Sequence, residues 1–245
     1  MMNSPLSKDN VLVIVPALNE QESIGAVLRT LLDNAYQVLV VDDGSVDKTR
    51  LIAQEAGVDV LTLPYNLGVG GALRAGFKFA VRHGYCAVVQ VDADGQHDSS
   101  QIMGLIENAN EFGAHLVLGS RFQRSTESMT VPVVRRQVMR LLSVLASRAT
   151  GTTITDATSG FRLIQDPLLS EFAQVFPTYY LGDTYEALVS AGKAGYLVKE
   201  IPTVIFDRAH GVSTASTMQS VKFIFKSVVI AGLGIHSRIG GYRKQ

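Results

Sequence analysis

Five short apolar runs, separated by helical stretches, most constrain what this chain can fold into. They lie at residues 11–15, 38–41, 58–63, 86–91 and 115–118. Each is short, rich in valine and bounded by turn residues, so each reads as a strand buried on both faces. Residues 20–32, 47–55, 70–82 and 99–111 lie between them and carry helical patterning. Such alternation predicts an α/β fold with a mostly parallel central sheet and helices on both faces. The second half is less regular. A helix is expected over 132–149, and strands over 197–201 and 203–206, as a continuation of the same sheet. At 245 residues and 47% hydrophobic content the chain can bury a sizeable core. One domain over 9–245 is expected, with residues 1–8 a disordered tail.

Charge and cysteine usage exclude several classes. The formal net charge is +0, so no overall field favours nucleic acid. The single cysteine, Cys86, cannot form an internal disulfide, which suits a reducing compartment. Residues 1–10 are polar and lack an apolar signal core. The longest apolar candidate, 221–235, carries Lys222 and Lys226 and falls short of the ~20 residues a membrane span needs. Local charge is less even. Arg121, Arg124, Arg135, Arg136, Arg140 and Arg148 share their stretch with one acid, Glu127. They form either a solvated helix face or, because guanidinium forks onto phosphate oxygens, a phosphate-binding set.

The ends of the strands carry the chemistry. Asp92-Ala93-Asp94-Gly95-Gln96 follows the fourth run. It delivers two carboxylates and an amide beyond the carboxyl edge of the sheet, where open α/β sheets bind ligands. Hard oxygen donors at this spacing suit a divalent cation that also holds phosphates; a solvated Asp/Gly turn is the plainer reading. The first run ends in Pro16-Ala17-Leu18-Asn19-Glu20, where proline stops the ladder and Asn19 can cap a helix. The second ends in Asp42-Asp43-Gly44-Ser45. One of these carboxylates faces a ligand, or Asp43 and Ser45 form a capping turn. Asn66-Leu67-Gly68-Val69-Gly70-Gly71-Ala72 opens a helix as a phosphate loop does. It lacks both the dinucleotide glycine spacing and the Walker lysine, which removes a Rossmann cofactor and an ATPase from consideration.

Taken in order, these motifs resemble those of family 2 glycosyltransferases of the GT-A fold, close to the dolichyl- and polyprenyl-phosphate mannosyltransferases. Gly119-Ser120-Arg121-Phe122, the stretch Asp156-Ala157-Thr158-Ser159-Gly160-Phe161-Arg162 and Glu200-Ile201-Pro202 add to the likeness, which spans residues 11 to about 213. The resemblance implies that residues 10–120 form a nucleotide-sugar-binding half and 121–245 an acceptor-binding half with a C-terminal helical segment. It implies that Pro16, Leu18, Glu20, Val41 and Asp43 hold the nucleoside. Asp92, Ala93 and Asp94 match the diphosphate–metal site, with Gln96 a third metal ligand. Arg121 and Arg140 match arginines near a donor or acceptor phosphate, and Arg208 one on the donor diphosphate. Two positions depart from the pattern. Gly211-Val212-Ser213-Thr214 lacks a lysine common in the polyprenyl-phosphate branch, and Leu18 replaces a base-stacking tyrosine.

The implied activity is inverting, metal-dependent sugar transfer from a nucleotide-diphospho-sugar to a polyprenyl or dolichyl phosphate, with Mg²⁺ or Mn²⁺ as cofactor. Family 2 transfer to a hydroxyl acceptor in cell-wall or capsular polysaccharide synthesis is an alternative, as is a nucleotide-sugar-binding protein without turnover. Asp183 distinguishes the first two: it is a base for a hydroxyl acceptor or a cap for the helix beginning near Thr184. Glu186 matches a glutamate of the polyprenyl-phosphate branch. His97 reads as a surface histidine after a turn, or else as a group touching the donor, and His210 lies beside Arg208. A cytoplasmic protein is expected, with the apolar, lysine-bearing segment 218–235 lying peripherally on the membrane.

Overall fold

The computed structural model describes residues 5–121, 133–177, 183–204 and 206. The first half alternates as expected: β1 (Val11–Ala17), α1 (Ile24–Asp33), β2 (Gln37–Asp42), α2 (Thr49–Glu55), β3 (Asp59–Thr62), α3 (Val69–Arg82) and β4 (Ala87–Gln90). A 3-10 turn at Ser99–Gln101 leads into α4 (Ile102–Phe112), followed by β5 (Leu116–Ser120) and α5 (Val133–Thr150). Then come β6 (Arg162–Gln165), α6 (Leu168–Val175), α7 (Asp183–Lys193) and β7 (Val198–Pro202).

Among the described residues, seven strands join one sheet in the order β3-β2-β1-β4-β6-β5-β7. β1 pairs in parallel with both β2 and β4, so the order reverses between β1 and β4. That reversal opens a crevice at their carboxyl ends. The central strands β1, β2, β4 and β5 are mostly apolar because both faces are covered. Leu12, Ile14, Leu39, Val41 and Val88 point into one core with α3 and α6 residues such as Phe77 and Phe172. Val11, Val13, Val15, Val40 and Val89 point into the other, with Ile24 and Leu28 of α1 and Ile102 and Leu105 of α4. Gly76 lets α3 approach this closely: a Cβ there would stand 2.9 Å from Ile14 Cγ2.

Three expectations need correction. β6 is absent from the sequence reading, yet it runs antiparallel between β4 and β5. Its four residues begin with an arginine, too short and too polar for a periodic signal. The strand expected over 203–206 does not form among the described residues there, because a side chain from the 3-10 turn before α4 takes its backbone groups: Gln101 bonds both the N–H and the C=O of Val204. The tail 1–8 is not wholly disordered. Leu6 is buried, and its backbone N–H and C=O both bond the side chain of Asn110.

Candidate active site

The crevice is built from the ends of β1, β2 and β4. After β1, Asn19 takes a left-handed conformation, φ 55°, which asparagine tolerates better than most residues. It caps no helix, since α1 begins at Ile24. Instead its N–H donates to Ser45 Oγ at 2.9 Å, and its Oδ1 accepts from the Val46 N–H at 2.9 Å. The Glu20 N–H donates to Thr49 Oγ1, and Ser23 Oγ donates to Glu20 Oε2. The loops after β1 and β2 are thereby fastened to each other. Pro16 and Leu18 are partly exposed at this edge. Val41 is fully buried, and its side chain packs in the core.

The two carboxylates after Val41 divide the work. Asp42 Oδ1 accepts from the Ser45 N–H at 3.0 Å, the turn bond expected of Asp43. Asp43 Oδ1 reaches the glycine-rich loop and accepts from the Leu67 N–H at 2.7 Å. Both are buried. Burial pushes the Asp43 carboxyl above its ordinary range, the backbone amides of Leu67 and Gly68 pull it down, and neighbouring Asp42 adds to the rise.

After β4, Asp92 keeps 38% of its side chain exposed, and its Oδ1 accepts from Gln90 Nε2 at 3.2 Å. Ala93 and Asp94 are buried, and Asp94 Oδ1 accepts from the Gln96 N–H at 3.0 Å. Gln96 Nε2 donates to the Phe206 carbonyl, and the Phe206 N–H donates back to the Gln96 carbonyl. The segment after β7 is therefore tied across the Asp92–Gln96 turn. His97 is not a surface residue: its side chain is 5% exposed, its ring lies on Phe161, and its Nδ1 accepts from the Asp92 N–H. The signal in the sequence was its position, five residues after Asp92 in a tight turn.

Arg121 follows β5. Its Nε and Nη2 fork onto Asp156 at 2.7 and 3.0 Å. Burial works against the guanidinium charge, but Asp156, with a smaller contribution from Asp92, holds it above the ordinary arginine value. Asp156 is fixed in turn, since Glu200 of β7 accepts from the backbone N–H groups of Thr155 and Asp156. Asp156 and Glu200 entered the sequence reading only as family motifs, and this geometry gives each a task. Arg140 is exposed on α5. Asp183 is the first residue of α7, so the helix starts one residue earlier than expected. Arg208, His210 and the segment 218–235 lie outside the described residues.

This arrangement of strand ends agrees with a family. The model of Glycosyl transferase family 2 matches residues 12–172, most of the chain. The chain belongs to glycosyl transferase family 2. It is therefore a glycosyltransferase, and its sheet is the GT-A sheet. Among family relatives, the polyprenol monophosphomannose synthase of Mycolicibacterium smegmatis is 30% identical over 93% of this chain and 88% of its own length. The undecaprenyl-phosphate mannosyltransferase of Micrococcus luteus is 31% identical over 84% of this chain and 87% of its own. A solved structure of similar fold is glucosyl-3-phosphoglycerate synthase from Mycobacterium tuberculosis with Mn²⁺, UDP-glucose and phosphoglyceric acid. It has a TM-score of 0.68 and 20% identity, covering 92% of this chain and 80% of that one.

The family 2 site has the donors a hard divalent cation takes. Asp92 and Asp94 offer carboxylate oxygens, and Gln96 offers an amide oxygen, from one turn. Among the described residues no group of three or more His, Cys, Asp or Glu forms a complete cage. A donor set of this kind fits a cation that draws the rest of its shell from water and substrate phosphates, the habit of Mg²⁺ and Mn²⁺.

Proposed function

We propose that this glycosyltransferase is inverting and metal-dependent, and that it moves a sugar from a nucleotide-diphospho-sugar to a polyprenyl or dolichyl phosphate. The observation that carries the reading is the Asp92/Asp94 pair at the point where the strand order reverses. The mannosyltransferase relatives, both named for polyprenyl-type carriers, support the acceptor. Pro16, Leu18, Glu20 and Asp43 are assigned to the nucleoside, Asp92, Ala93 and Asp94 to the diphosphate, and Arg208 and Arg140 to phosphate. Asp92, Asp94 and Gln96 would hold the cation.

In the transfer, an acceptor phosphate oxygen bonds the anomeric carbon as its bond to the donor diphosphate breaks. The nucleoside diphosphate departs with the electron pair, and the configuration inverts. A bound Mg²⁺ or Mn²⁺ supplies positive charge against the diphosphate. Arginine adds donors aimed where negative charge grows. A phosphate acceptor is already anionic, so this route asks no proton removal of Asp183. A hydroxyl acceptor would need such a base within hydrogen-bond reach.

The decisive experiment screens UDP-, GDP- and dTDP-sugars with Mn²⁺ for thermal stabilisation, then assays transfer to a short polyprenyl phosphate. A donor at a hundred times its dissociation constant should stabilise by ~2.7 kcal/mol. Asp94→Ala and excess EDTA should each abolish transfer, and Arg208→Ala should impair turnover more than stability. Transfer only to a hydroxyl acceptor, lost in Asp183→Ala, overturns the lipid-phosphate reading. Peripheral attachment to the cytoplasmic leaflet through 218–235 belongs to the same proposal, since lysines at a bilayer surface gain from anionic lipid. Among the described residues no helix is long and apolar enough to cross a membrane. Liposome co-sedimentation with acidic lipid at low salt checks the attachment, and a Lys222→Glu/Lys226→Glu double variant should remain in the supernatant.

A further inference from the structure

The Asp92 carboxylate is held from three sides by groups to which neither the motifs nor the proposed function gives a task. Gln90, the buried last residue of β4, donates from Nε2 to Oδ1 at 3.2 Å. His97 approaches the other oxygen, with Nε2 3.7 Å from Oδ2. Gly160 closes the third side: a Cβ built there would stand 2.9 Å from Oδ2 and 3.3 Å from Oδ1.

Each of these groups is itself anchored. His97 Nδ1 lies 3.0 Å from the Asp92 backbone nitrogen. A backbone N–H can only donate, so Nδ1 is the acceptor and the proton of the neutral ring sits on Nε2, the nitrogen facing Oδ2. One imidazole therefore meets residue 92 at its backbone and at its carboxylate, while Phe161 backs the ring at 5.0 Å between centroids. Gly160 is fixed by its neighbours. The Phe161 N–H donates to Ser159 Oγ at 3.2 Å, and buried Arg162 donates from Nε to the Ser159 carbonyl at 3.1 Å. The same arginine donates from Nη1 to the Thr184 carbonyl of α7.

An aspartate at an open strand end turns easily about its last side-chain torsion. A ligand that needs one orientation is bound more weakly when that orientation must be selected from several, and fixed outer partners remove this cost. We propose that His97, Gln90 and Gly160 are positioning residues that aim the Asp92 carboxylate at the donor diphosphate and its cation. The inference rests on the donor-site reading above and deepens it.

Gly160 separates positioning from folding. Its φ lies outside the left-handed range, so alanine meets no backbone strain. A new methyl would meet the tip of Asp92 at 2.9 Å and the tip of Gln90, Nε2, at 3.2 Å, and both are side-chain ends that can swing away. Gly160→Ala should therefore keep the fold and displace the carboxylate. His97→Phe retains the ring and loses both nitrogens. His97→Asn keeps an acceptor where Nδ1 stands.

The test is direct Mn²⁺ binding in the presence of UDP, GDP and dTDP in turn, read from the electron paramagnetic resonance of free Mn²⁺, with thermal melts of every variant. Gly160→Ala and His97→Phe are expected to weaken Mn²⁺ binding about 10–100-fold, the range for outer partners of metal ligands. Gly160→Ala should melt close to wild type, and His97→Asn should recover much of the affinity. Should His97→Phe fail to fold, Gly160→Ala decides. Wild-type binding in Gly160→Ala, or in a folded His97→Phe, overturns the proposal and leaves the donor site intact. His97→Asn as weak as His97→Phe overturns the part given to the Nδ1 contact. A wild-type protein that binds no Mn²⁺ with UDP, GDP or dTDP overturns the metal reading and this inference with it.

Discussion

Arg121 holds Asp156 with both tines of its guanidinium, Nε to Oδ2 at 2.7 Å and Nη2 to Oδ1 at 3.0 Å. Asp156 has no exposed side-chain surface, whereas Arg121 retains 36%. An arginine serving only a phosphate would be dispensable to the fold, whereas this one is forked onto a buried carboxylate. Arg121→Met leaves a buried carboxylate short of its main partner. We expect a loss of about 1–3 kcal/mol, the range for an unsatisfied buried acceptor, measured by urea denaturation. Arg121→Lys should recover little, because an ammonium cannot fork. Wild-type stability in Arg121→Met would contradict this account.

Glu200 acts on the same loop from β7. Its carboxylate accepts from the Thr155 N–H, Thr155 Oγ1 and the Asp156 N–H. Glu200→Ala strands these donors and should cost about 1–3 kcal/mol. Glu200→Gln keeps one acceptor oxygen and should fall between. The order wild type, Gln, Ala in chemical denaturation is the check.

Asp43 is a buried carboxylate whose proton affinity is raised, first by burial. Its folded pKa lies above its unfolded one, so the folded state binds the proton more readily. The ionised group thus weakens the fold above the raised pKa, and that penalty is relieved as pH falls through it. Asp43→Asn keeps an acceptor for the Leu67 N–H and removes the charge. We expect it to be at least as stable as wild type at neutral pH, with the difference closing under acid, while donor KM rises. A variant less stable at pH 7 would refute this.

Tyr185 lies in the core with its hydroxyl bonded to no group among the described residues. Burial raises its pKa to about 12. Tyr185→Phe removes an unsatisfied polar atom and little volume. Its melting temperature should equal or exceed that of wild type. A drop would mean that the hydroxyl has a partner such as a buried water.

The sequence by itself determined the layered fold and the place of the candidate site. Short valine-rich runs bounded by turn residues, such as Val38-Leu39-Val40-Val41, read as strands covered on both faces, and a strand's direction fixes which end carries Asp92 and Asp94. These are local signals, written in neighbouring residues. Tertiary structure alone decided the rest. β6 is a strand because β4 and β5 offer it ladders on both sides, and its Arg162 can be buried because the carbonyls of Ser159 and Thr184 accept its N–H groups. The His97 side chain is buried because Phe161, 64 residues away, covers its ring. Arg121 serves Asp156 because β5 and the loop before β6 end side by side. Burying a charge or an imidazole is costly until a partner meets it. Which partner does so depends on how distant segments pack, and no local pattern in the chain records that.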